Sequence, residues 1–260
     1  MKTPLCNALT MVAALLLTTR LSTAADPSPT KAKPEAGSRA EVKKGVNWTF
    51  TPNPSLPNVL ILGDSISIGY TLQVRALLQG KANVYRPTSP DGTKPVNCSG
   101  TTSGVKSVDQ WLSGHKWSVI HFNWGLHDLK HVASPGSSQN TNSPSDPVQA
   151  TVEEYSRNLE TIVAKLEATG ARLIFATTTP VAPGTTNPLR EVDAPGRYNA
   201  AALKIMQAKG IAVDDLFAFC EPQLDKLQLP KNVHFTPAGS QALATQVAKA
   251  IEAELIALPK

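Results

Sequence analysis

Val59-Leu60-Ile61-Leu62-Gly63-Asp64-Ser65-Ile66-Ser67 begins as an apolar run of strand length and breaks off in Gly-Asp-Ser. Helical spacing starts directly behind it, with Ile68, Leu72, Val74, Leu77 and Leu78 in phase and a stop at Gly80. The serine hydroxyl then sits at the carboxyl end of a buried strand, where open α/β sheets bind their ligands. Far downstream, Val233-His234-Phe235-Thr236-Pro237 sets a histidine just ahead of a helix with Thr236 as N-cap and Pro237 in its first turn. A serine nucleophile early in the chain and a histidine base late in it suggest hydrolysis by acyl transfer.

Outward from this stretch the chain alternates strand and helix. Strands are expected at 58–62, 83–86, 118–124, 172–177 and 211–216. Helices are expected at 68–78, through Trp111-Leu112, at 153–168, at 200–208 and from Pro237 to about Leu255. Strands separated by helices pair in parallel through right-handed crossovers. The expected fold is α/β, a three-layer α/β/α sandwich around a central parallel five-stranded sheet. The polar run Ser134–Pro147 reads as an exposed insertion, either part of the site or a passive surface excursion.

The 260 residues suffice for one sizeable core. Residues 1–25 read as an export signal: Lys2, then Met11–Leu17 as the apolar core, then Ser22-Thr23-Ala24-Ala25 for cleavage. The apolar run is short for a bilayer span, so a secreted or periplasmic protein is expected, with an uncleaved anchor as the alternative. Residues 26–57, rich in Pro, Lys, Ala and Ser, read as a flexible tether, and 58–260 as the domain. The net charge of +5 falls to +3 without Lys2 and Arg20, and the tether accounts for a further +2. A body near +1 argues against nucleic acid as a partner. Outside the signal, Cys98 and Cys220 are either a disulfide or two buried thiols. No zinc-type spacing is present, and His127 and His131 lack a third ligand.

Two further stretches follow in order: Asn97-Cys98-Ser99-Gly100-Thr101-Thr102 and Asn123-Trp124-Gly125-Leu126-His127-Asp128. With Gly63–Ser65 and His234, they resemble the four sequence blocks of the SGNH hydrolases, the GDSL esterase/lipase superfamily, over residues 58–255. The resemblance implies a flavodoxin-like sandwich and ester hydrolysis without metal or organic cofactor. It makes Ser65 the nucleophile and His234 the base. The oxyanion hole would be the backbone N–H groups of Ser65 and Gly100, with Gly104 as fallback, and the side chain of His127. His127 stands where the family carries asparagine, but a neutral imidazole also offers one N–H. A second departure is Lys231, in the place of the family's acid three residues before the histidine. The Asn232 side chain or a backbone carbonyl would then orient His234 in a Ser–His dyad, unless Asp128, Asp215 or Asp225 supplies the acid.

Asp64 is expected to fix the nucleophile turn by side-chain-to-backbone bonds. Trp124 suits a sugar platform or the core equally; Trp111 and Trp117 read as packing anchors and His121 as structural. Two functions follow. One is a secreted serine esterase acting on short acyl groups of carbohydrate, since the chain is exported and lacks a long apolar lid. Its partners would be a small-molecule or polysaccharide ester, with no membrane insertion after signal removal. The other is a carbohydrate-binding module that keeps the fold and has lost turnover.

Overall fold

A computed structural model describes residues 48–258; the expected signal and residues 26–47 of the expected tether lie outside the described residues. The sheet is formed by β1 (Asn58–Leu62), β2 (Asn83–Tyr85), β3 (Val119–Phe122), β4 (Arg172–Ala176) and β5 (Ala212–Asp214). All pairs are parallel, in the order β2-β1-β3-β4-β5. The order reverses at β1 and β3, and in such sheets ligands bind outside the carboxyl ends of the strands at that reversal.

Helices cover both faces. α1 (Ser65–Leu77) packs on α7 (Pro237–Ile256), while α2 (Thr101–Leu112), α3 (Val152–Glu167) and α4 (Ala194–Lys209) pack in series. Val59–Leu62 and Ile174–Ala176 are therefore fully buried, which accounts for their unbroken apolar sequence. This is the expected three-layer sandwich. α3 is fixed at its start by a capping box between Thr151 and Glu154. His121 is structural, as expected: its Nε2 lies 3.1 Å from Asp214 Oδ2, and Asp214 Oδ1 accepts from Gln246 of α7 at 2.9 Å.

Several expectations shift. The segment 48–57, assigned to the tether, lies on the β2 edge. Trp48 is buried, its carbonyl accepts from Arg75 Nη1 at 3.1 Å, and the Asn53 N–H donates to Asn83 Oδ1 at 2.8 Å. Two aromatic residues in a Pro-rich stretch, Trp48 and Phe50, cover the exposed strand edge. α4 begins at Ala194 rather than at residue 200, because Pro195 lies in its first turn, where its missing N–H costs nothing. α5 (Leu216–Cys220) and α6 (Leu224–Leu227) are too short to show a period in sequence. Cys98 and Cys220 are free buried thiols, pushed up to about 11 and about 12 by burial. Among the described residues no helix is long and apolar enough to cross a membrane.

Candidate active site

Ser65 is the first residue of α1. The N-cap is Asp64, whose buried carboxylate accepts from the Ile66 N–H at 2.9 Å. The serine hydroxyl is thus not consumed in capping, and the N–H of a first-turn residue has no partner within its helix. The helix N-terminus also favours negative charge there. Beneath the turn lies Arg86, which sequence reasoning missed. Its Nη1 donates to Ser67 Oγ (3.1 Å) and Thr71 Oγ1 (3.0 Å), and its Nη2 to the carbonyls of Gly63 (3.1 Å) and Val96 (2.9 Å). One buried guanidinium thereby ties β1, α1 and the segment after β2 together.

His234 lies in the turn between α6 and α7, closed by the Leu229 N–H donating to the His234 carbonyl at 2.9 Å. Its Nε2 is 2.9 Å from Ser65 Oγ. Its Nδ1 is 2.8 Å from Asn232 Oδ1, and the same oxygen accepts from the His234 backbone N–H at 3.0 Å. A backbone N–H can only donate, so the amide atom facing it is the oxygen. Nδ1 therefore carries the proton, and Nε2 is left unprotonated toward the serine. Asn232, not Lys231, is thus the residue that meets Nδ1. Lys231 adopts a left-handed conformation (φ +54°), and its stem runs past Gly184.

The alternative acids are engaged elsewhere. Asp215 caps α5 at Ala218 and accepts from Thr177 Oγ1 at 2.8 Å. Asp225 belongs to α6 and lines a separate groove. Asp128 is fully buried beside the second block, where its Oδ1 accepts from Thr101 N (2.8 Å) and Thr101 Oγ1 (2.5 Å). Burial pushes its carboxyl up to about 7.

Ser65, His234 and Asn232 line a cleft of about 480 Å³, with Asp64 and His127 on its walls. β3 is extended by Asn123, whose Nδ2 donates to the Ala176 carbonyl at 2.8 Å. Gly125 then passes so close to β4's extension that a Cβ would lie 1.9 Å from Thr178 Oγ1. Two residues on, His127 lines the cleft. No hydrogen-bond partner holds the His127 ring among the described residues. Burial, above all, holds its imidazole below the usual histidine range, so at neutral pH it is an uncharged ring with one N–H to give.

Gly100 and Asp128 are not on the cleft surface. Gly100 is buried as the N-cap of α2, with Asp128 Oδ1 3.1 Å from where its Cβ would stand. The fallback, Gly104, is excluded: its N–H already donates to the Gly100 carbonyl, and a Cβ there would meet Ile162 at 2.7 Å and Trp124 at 3.0 Å. Trp124 belongs to the core, without exposed surface, and is not a platform. Trp117 is a buried anchor whose Nε1 donates to the Leu112 carbonyl at 2.9 Å, while Trp111 packs partly buried against the core.

Lys130 and Arg190 also line the cleft, unannounced by any motif. The readable hint was a lysine amid Leu129, Val132 and Ala133. The polar insertion takes part as well. The His131 N–H donates to the Leu189 carbonyl (2.9 Å), and the Leu189 N–H to the Thr141 carbonyl (3.0 Å), which holds Asn140 at the cleft.

The model of the GDSL-like lipase/acylhydrolase family matches residues 61–242, well over half of the chain. The chain belongs to that family. It is an ester-hydrolysing serine hydrolase of the SGNH/GDSL superfamily. The hydrolase fold is shared with solved structures of low identity. An acetyl xylan esterase, AlAXEase, is 13% identical with a TM-score of 0.58, over 75% of this chain and 99% of that one. A lipase/acylhydrolase from Enterococcus faecalis is 19% identical with a TM-score of 0.59, over 76% and 96%. Axe2, an acetylxylan esterase from Geobacillus stearothermophilus, is 16% identical with a TM-score of 0.57, over 75% and 94%. No curated protein matches the chain.

Proposed function

We propose that this GDSL-type hydrolase is an exported carbohydrate esterase that removes short acyl groups through an acyl-enzyme on Ser65. The observation that carries the reading is the 2.9 Å approach of His234 Nε2 to Ser65 Oγ at the floor of a polar cleft. Ser65 Oγ attacks the ester carbonyl while His234 takes its proton. The developing oxyanion is held by the backbone N–H of Ser65 and by the His127 ring, both on the cleft. His234 returns the proton to the leaving alcohol, then activates the water that releases the acid. Asn232 keeps the ring in the tautomer each step requires, Asp64 fixes the nucleophile turn, and Asp128 fixes the Gly100–Thr101 turn behind the oxyanion hole.

Two acetyl xylan esterases share the fold, and the cleft carries many polar side chains and few apolar ones. Both favour a short acyl group on a sugar over a long lipid chain. The rival reading, a binding module that has lost turnover, rested on two departures, His127 and Lys231; the Asn232 contact answers the second. Export would follow from the leader at residues 1–25, and N-terminal sequencing of the mature protein tests it.

A short-chain chromogenic acetate and a serine-directed organophosphonate test the chemistry. Turnover, an adduct on Ser65 and loss of both in Ser65→Ala are expected. Folded protein with neither turnover nor adduct would leave the binding module as the better account.

A further inference from the structure

Two cations in the cleft have no carboxylate within ion-pair distance; Asp64 acts on Arg190, and Asp128 on Lys130, only from farther away. Lys130 is 8% exposed and Arg190 is 7% exposed, yet both contribute to the cleft surface. Arg190 Nε donates to the Leu126 carbonyl at 2.7 Å, which fixes the guanidinium; its two terminal nitrogens and the Lys130 ammonium have no hydrogen-bond or ion-pair partner among the described residues. Lys231 adds a third positive charge to the lining.

The lining holds one carboxylate, that of Asp64, which accepts from the Ile66 N–H and favours the Arg190 charge without pairing with it directly. Glu191, next to Arg190 in sequence, pairs instead with Arg197 Nη2 at 2.5 Å. Several other cations are satisfied. Arg86, equally buried, reaches four oxygens, and the far more exposed Lys81, Lys165 and Lys209 each hold a carboxylate. Removing charge from water without a partner is costly. Two such groups side by side in one cleft also repel each other, and an arriving anion would relieve both costs.

We infer that the substrate carries a negative charge on its alcohol part: an acylated acidic sugar whose ring carboxylate or sulfate is held by Arg190 and Lys130 while the neighbouring ester lies at Ser65. A planar guanidinium fixed through Nε offers its remaining donors as a fork, which matches the paired oxygens of either group. The inference rests on the esterase reading above and narrows its substrate class. A short acyl group such as acetyl has no charge of its own, so the charge must be on the sugar.

The test compares deacetylation by the full chain of three polymers with matched acetyl content: an acetylated polyuronate, an acetylated sulfated glycan and a neutral acetylated xylan. Chromogenic acetate and chromogenic hemisuccinate serve as further substrates. We expect kcat/KM on at least one acidic polymer to exceed that on the neutral one by about tenfold to a hundredfold, the range of a hydrogen-bonded charge contact. The favoured polymer identifies carboxylate or sulfate. The ratio should shrink at about 1 M salt, where the screening length is about 3 Å. Lys130→Gln, which breaks no hydrogen bond, and Arg190→Gln should each lower the ratio, with Lys130→Arg retaining most of it. Hydrolysis of chromogenic acetate with no preference for an acidic polymer would overturn the inference and leave the esterase intact. A preference for the hemisuccinate alone would also overturn it, by placing the charge on the acyl group. Failure to turn over any ester would remove both.

Discussion

Asn232 Oδ1 accepts two hydrogen bonds from His234, one from ring Nδ1 at 2.8 Å and one from the backbone N–H at 3.0 Å. The backbone bond keeps the amide from turning its NH₂ toward the ring, which would force the wrong tautomer. A neutral group thereby supplies the orientation usually expected of a carboxylate, without its charge.

Asn232→Ala should lower kcat by about tenfold to a hundredfold, a part of what a positioned general base contributes. Asn232→Asp should match or exceed the parent, since a carboxylate accepts the same bonds and also stabilises the imidazolium. Lys231→Asp should not rescue Asn232→Ala, because the left-handed backbone at 231 sends that side chain along Gly184. Steady-state kinetics on a chromogenic acetate decides; rescue by the acid at 231 would refute the assignment.

His127→Ala should cost about 10²–10³ in kcat, the usual effect of losing one oxyanion donor. His127→Asn should keep most of the activity, because the amide also presents an N–H. Equal losses in the two variants would remove His127 from the oxyanion hole.

Asp128 makes stability depend on pH in an unusual direction. Burial pushes its folded carboxyl up to about 7, against 3.8 for an ordinary aspartate. Between those values the native state holds a proton that the unfolded chain has released, so stability falls as pH rises through that window. Each tenfold difference in proton affinity between the two states corresponds to about 1.4 kcal/mol. Asp128→Asn should therefore flatten the dependence and gain relative to the parent at pH 7.5. Denaturant titrations at pH 4.5 and 7.5 measure this, and an unchanged slope in the variant would refute it.

Arg86→Met should destabilise the domain by about 3 kcal/mol, because it strands several buried acceptors around the nucleophile turn. Arg86→Lys should recover only part, since an ammonium cannot span two carbonyls and two hydroxyls at once. Thermal melts read the stability. Activity should fall faster than the folded fraction, because the Gly63 carbonyl lies two residues from Ser65.

The sheet and most of its helices were legible in the sequence. An apolar run such as Val59–Leu62 has a single stable fate in water, burial on both faces, and the helical periods of 68–78 and 153–168 describe helices that cover it. The Gly63–Ser65 turn and the His234 turn were legible for a related reason: both are local, each set by a strand end or a helix cap within a few residues. α5 and α6 were not, since four or five residues carry no period. Nor was Trp124, whose burial depends on Gly104 and Ile162 from other helices.

Chain order alone thus determined the layered α/β architecture, the exposed hydroxyl of residue 65 and the histidine that answers it. Tertiary structure chose Asn232 among the candidate partners of that histidine, and it alone decided how Arg86 braces the turn and that Lys130 and Arg190 meet in one cleft. Hydrophobic periodicity records what a residue does relative to its own segment. A hydrogen bond or a charge contact is defined by a partner: the partners of Arg86 lie ten or more positions away, Lys130 and Arg190 sixty apart, and even Asn232, two residues from His234, meets its ring only in the turn that the folded chain closes.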